Sequence, residues 1–167
     1  MPESSNQPSI TNDEKVNVNR SAIEHRATWM GLMYEAMKKA GARAEAIARE
    51  AVSQTGGLHG AALRDRIKGA VTVASFADAF LSELGTGTFE MEVTERTPDA
   101  LAIRFHYCPL VAGWEKAGIP AEDVPTLCDI AMDGDRQIAE TVGLGFELGH
   151  TIADGQPVCE LRFFRKD

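Results

Sequence analysis

Two residues that can do acid–base or nucleophilic work stand two positions apart in FHYCPLVAGW, His106 and Cys108, directly before Pro109. A thiol just ahead of a helix start faces unpaired N–H groups and the positive helix end, which favour a thiolate. A neighbouring imidazole could deepen that effect or move a proton. The same N–H groups could hold an oxyanion or a carboxylate. Equally, Cys is among the residues most often buried as a small hydrophobe.

A second cluster is CDIAMDGD, from Cys128 to Asp135. On a helix, Asp129 and Asp133 share a face, and Cys128 and Asp135 are nearly aligned two turns apart. A buried carboxylate there would suit general-base chemistry. A solvated acidic face is the plain alternative. Cys159 alternates with Leu161 and Phe163, so it reads first as packing. Arg104 and Arg162 could bind a carboxylate by a two-point contact, and Trp114 is placed with the substrate-binding residues.

The three cysteines and His106 match a Cys3His zinc set in type only. No CxxC or HExxH is present, so no metal is assigned and no cofactor is implied. The chain also has no Walker loop, no GxGxxG and no GxSxG.

The elements that must position these residues follow from periodicity. Residues 1–19 are polar and read as a disordered or loosely attached tail. SAIE reads as a capping box at Ser21, opening a helix with Ile23, Met30, Met33, Tyr34 and Met37 on its stripe. Ala42 to Ser53 continues as helix, and Gly56-Gly57 reads as a break. A long helix then runs from about His59 to Leu84. TFEMEVTE and ALAIRFH alternate as strands, joined by a Pro98-Asp99 turn. Arg104 and His106 fall on one face of the second strand, with Leu101, Ile103 and Phe105 on the other. Pro109 opens a short helix, another runs from about Asp123 to Val142, and two strands joined at Asp154-Gly155 close the chain. The fold expected is α+β: N-terminal helices over 20–86, then β-β-α-α-β-β over 87–167. Its sheet is mostly antiparallel, with helices packed on one side.

A formal net charge of −8 opposes nucleic acid or an anionic membrane surface as partner. An odd cysteine count without an apolar leader points to a cytoplasmic protein. A small-molecule substrate is the expected partner. The methionine-rich first helix leaves a homo-oligomer open.

Three segments in order, FHYCPLVAGWEKAGI, LCDIAMDGDRQIAE and FELGHTIADGQPVCELRFF, resemble the L-2-amino-thiazoline-4-carboxylic acid hydrolase family over about residues 88–164. The shared cores are His106-x-Cys108-Pro109-Leu110-Val111, Cys128-Asp129, Gly134-Asp135 and Cys159-Glu160-x-Arg162-Phe163. The resemblance implies a hydrolase that opens a 2-aminothiazoline ring with water to give N-carbamoyl-L-cysteine. The second half is also similar to small-molecule-binding domains of the 4-vinyl reductase type. Under the first reading Cys108, His106, Asp135 and Asp129 carry the chemistry, and Arg104, Cys128, Trp114 and Arg162 line the substrate. Under the second, the chain binds or senses a small molecule without converting it.

Overall fold

The computed structural model describes residues 6–167. Four helices come first: α1 (Glu14–Lys39), α2 (Ala44–Arg66), α3 (Val73–Phe80) and α4 (Glu83–Phe89). Then follow β1 (Met91–Arg96), β2 (Ala100–Phe105), α5 (Pro109–Lys116), α6 (Val124–Val142), β3 (Leu144–Leu148) and β4 (Cys159–Arg165). The four strands form one antiparallel sheet in the order β1-β2-β4-β3. The fold is α+β, as the strand and helix patterns predict.

Several boundaries differ from the expectation. Helix α1 starts seven residues before Ser21, capped by Asp13, whose carboxylate accepts from the Val16 N–H. Residues 6–13 are docked on the domain, with Asn6 buried. Only residues 1–5 of the expected tail lie outside the described residues. The side chain of Met33 is exposed beside Trp29 and Leu32, so the buried stripe of α1 runs instead through Val16, Arg20, Ile23, Ala27, Gly31 and Tyr34.

Gly56-Gly57 does not break a helix. Both lie inside α2, where Gly56 packs so tightly on α6 that a Cβ there would come 2.4 Å from the Gly134 carbonyl oxygen. The glycines serve close helix packing, which outweighs their low helix propensity. The single long helix expected to Leu84 is three pieces, because Thr72 and Ser82 each cap a new start. Thr88 and Phe89 finish α4 rather than opening a strand. Glu90 then turns the chain with φ of 50°, and β1 begins at Met91.

The inner face of the sheet carries Leu101, Ile103, Phe105, Cys159, Leu161 and Phe163, all buried under the helices. Phe163 is fully covered, ringed by Phe76, Phe80 and Phe146 with centroids 4.8–5.1 Å away. The outer face holds charged side chains. This one-sided burial is the ordinary pattern of an antiparallel sheet.

Candidate active site

The inner face ends in a corner where four elements meet. Cys108 is the N-cap residue of α5, Cys128 lies in the second turn of α6, and Cys159 opens β4 opposite Phe105 of β2. The fourth element is a 3-10 turn, Ile152–Asp154. All three cysteines are free and buried. Their thiols are close enough that charge on one would raise the others. The chain thus gathers three sulfurs separated by 20 and 31 residues into one corner (128 − 108 and 159 − 128).

The polar groups of the corner come from the 3-10 turn. The Ile152 N–H donates to Cys159 Sγ at 3.3 Å. The Thr151 hydroxyl reaches Cys128, and it also donates to Asp154 Oδ2 at 2.6 Å. Asp154 is exposed, so it stands at the rim with its charge directed toward both Cys128 and Cys159. The sequence marks Asp154 only as a turn residue and gives Thr151 no role. The segment reads as a plain hairpin turn, and only a Thr-x-x-Asp cap hint marks it.

The electrostatics oppose the expected low thiol pKa. Burial, then the nearby Cys159, pushes the Cys108 thiol up to about 12. The N–H groups of Val111 and Leu110 pull the other way but close no capping hydrogen bond. Burial also raises Cys128 and Cys159. In this closed form the helix end loses to desolvation, which disfavours any buried charge.

The other expected site residues are spread out. His106 points to the outer face, where its Nε2 lies 2.8 Å from Glu92. Arg104 pairs with Glu160, and Arg162 with Glu95 and Glu147, on the same outer face. The sheet therefore separates His106, Arg104 and Arg162 from the thiols, and the Cys3His set is not assembled. Trp114 is wholly inside the core, its indole N–H without a partner among the described residues.

Asp129 and Asp133 share a network with Arg49 and Arg136 at 2.6–2.9 Å. Although desolvation opposes it, the Arg136 and Arg49 hydrogen bonds hold the Asp129 carboxyl below its usual range. That is a structural carboxylate between α2 and α6. Asp135 differs. It is half-buried and makes no ion pair among the described residues, and burial pushes it up to about 6 against the pull of Arg136 and Arg26. A carboxyl so tuned suits proton transfer near neutral pH.

An α+β domain with a closed, three-thiol corner is the class that fold and site define. The family model for L-2-amino-thiazoline-4-carboxylic acid hydrolase matches residues 20–163, well into the helical half, and the chain belongs to that family. No curated protein matches the sequence. Among solved structures, a trafficking protein particle complex subunit 3 from Naegleria fowleri, covalently bound to palmitic acid, is similar at 17% identity. That match covers 93% of this chain and 85% of the other, with a TM-score of 0.40. No helix of the described residues is long and apolar enough to cross a membrane.

Proposed function

We propose that the protein hydrolyses a small cyclic C–N substrate, with 2-aminothiazoline-4-carboxylate as the type compound and Cys108 as nucleophile. The observation that carries this reading is the convergence of Cys108, Cys128 and Cys159 in one buried corner of a chain from this hydrolase family. The electrophile is an amidine-like carbon bonded to two nitrogens and a sulfur. Because the Cys108 thiol is neutral at rest, the basic amidine nitrogen of the substrate is the acceptor for its proton. Transfer yields a thiolate beside an activated amidinium, a pair that a dry corner favours over either charge alone.

The sulfur of Cys108 then bonds to the ring carbon, and the ring C–S bond breaks with protonation of the departing thiolate. Water adds to the resulting isothiourea, and Cys108 leaves as the thiol. The net change is one water consumed and one carbamoyl group formed. Asp154 at the rim, whose charge is felt by Cys128 and Cys159, is the carboxylate at hand to activate that water.

Cys108→Ser tests the scheme. Turnover of 2-aminothiazoline-4-carboxylate should fall by at least about a thousandfold, with the circular dichroism spectrum unchanged. Retained turnover would exclude the covalent step and leave water activation by a carboxylate. The burial of the thiols favours a second reading, a domain that binds such a molecule without converting it. Calorimetric binding with no product formed by the unaltered protein would select it.

A further inference from the structure

The N-terminal segment makes an unusual contact with the site. Asn6 is 5% exposed, and its carboxamide pairs with the main chain of Cys108 at two points. Its Nδ2 donates to the Cys108 carbonyl at 2.9 Å, and its Oδ1 accepts from the Cys108 N–H at 2.8 Å. Asn6 thus closes the same donor–acceptor edge that a paired strand would. The segment is clasped further along. The Ser9 N–H, the Ser9 hydroxyl and the Ile10 N–H all donate to the Glu90 carboxylate at 2.7–2.8 Å. Arg20 ties that knot by donating to Glu90, to the carbonyls of Gly87 and Thr88, and to the Ile10 carbonyl.

This segment also divides a groove. On one side is a cavity of about 370 Å³ lined by Asn6, Arg20, Tyr107, Ala112 and Lys116. On the other is one of about 510 Å³ lined by Ser9, Ile10, Glu90 and His106. Gln7 lines both. Lifting residues 6–10 would open the space between the two cavities and free the N–H and C=O of Cys108 that Asn6 holds. The segment lies before residue 20, where the family match begins.

We propose that the N–H and C=O of Cys108 form a docking position for a carboxamide, amidine or ureido group, and that residues 6–10 are a displaceable strap whose Asn6 fills that position until a ligand replaces it. The chemistry is shared by the three groups: an NH2 donor beside an acceptor atom, at the spacing of the Asn6 carboxamide. Among the described residues the strap is clasped by polar contacts: the Ser9 and Ile10 bonds to Glu90 are exposed, and the Asn6 pair and Arg20 are buried. Opening it therefore trades hydrogen bonds that a ligand can replace rather than apolar packing, and can occur short of global unfolding. The proposal rests on reading the Cys108 corner as the substrate site, and it adds both how the substrate's N–C–N edge is held and what guards it.

Hydrogen exchange of individual amides in the full chain tests it, with 2-aminothiazoline as the probe. Without probe, the Ser9, Ile10 and Cys108 amides should exchange together, well before the sheet amides of Ile103 and Leu161. Asn6→Ala should speed exchange at Cys108 by at least about tenfold and leave Leu161 unchanged. Excess probe should release the Ser9 and Ile10 amides while Cys108 stays protected, because the ligand has taken Asn6's place. Exchange of Cys108 only with the sheet core would overturn the strap. A probe that leaves Ser9 and Ile10 protected would overturn the docking position. The readout is exchange rather than turnover, so a catalytically inert protein still answers.

Discussion

The two faces of the sheet use the same strands for opposite purposes. Along β2, Ile103 and Phe105 are buried while Arg104 between them is exposed; along β4, Leu161 and Phe163 are buried on either side of Arg162. The outer face has the residues that look most chemical, with His106–Glu92, Arg104–Glu160 and Arg162–Glu95 all in ion-pair reach. Yet each is solvent-screened and already partnered. The inner face has few polar groups, and there burial controls what each can do: it holds three thiols neutral. Reactivity here depends on which face a side chain meets rather than on residue type. A low-dielectric corner makes small charge changes large.

The comparison breaks first if the inner face is not the source of stability. Phe163→Ala removes a fully covered ring that touches three other aromatic rings. The expected loss is about 3–5 kcal/mol, read as a lower urea midpoint at an unchanged slope. A loss under about 1 kcal/mol would mean that the aromatic cluster repacks and the sheet does not depend on it.

A smaller effect sharpens the contrast between paired and unpaired carboxyls on α6. Asp135 holds its proton up to about pH 6 in the folded chain, against an ordinary value of 3.8. Between those values the folded state binds more protons than the unfolded, so stability falls as pH rises through that window and stays lower above it. Asp135→Asn removes this titration. The variant should match the parent near pH 4 and be more stable by about 1–2 kcal/mol at neutral pH, a figure reduced for the partial exposure of the group. Equal stability of the two at both pH values would show that Asp135 is solvated.

How far these features could be read beforehand varies by element. The alternation of ALAIRFH and of CELRFF places Arg104 and Arg162 opposite the apolar face, and the structure agrees. Gathering His106 with Cys108 required the strand geometry to run on past Phe105, but β2 ends there. Gly56-Gly57 misleads because local propensity marks a break, while the tertiary contact with Gly134 needs the absent Cβ. The segment around Asn6 looks like a polar tail because its partners, Glu90 and Cys108, lie 80 to 102 residues away. No local pattern encodes a carboxamide that binds a distant main chain. Within the corner, Cys108 and Cys128 stand out by type, but Thr151 and Asp154 become visible only when the 3-10 turn brings them to the sulfurs.

The smallest effect belongs to the outer face. Arg104 is 45% exposed and its Nε donates to Glu160 at 3.1 Å, directly across from it in the β2–β4 register. Cross-strand charge pairs of this kind gain little because water screens them and two long side chains must be ordered. Arg104→Ala should therefore cost less than about 0.5 kcal/mol, and still less in high salt. The same variant bears on the site. If the sheet truly separates Arg104 from the thiol corner, the KM for 2-aminothiazoline-4-carboxylate is unchanged within about twofold. A KM rise of tenfold or more, equal to about 1.4 kcal/mol of lost binding, would mean that the substrate carboxylate reaches the outer face, so that catalysis uses the sheet edge rather than the corner alone.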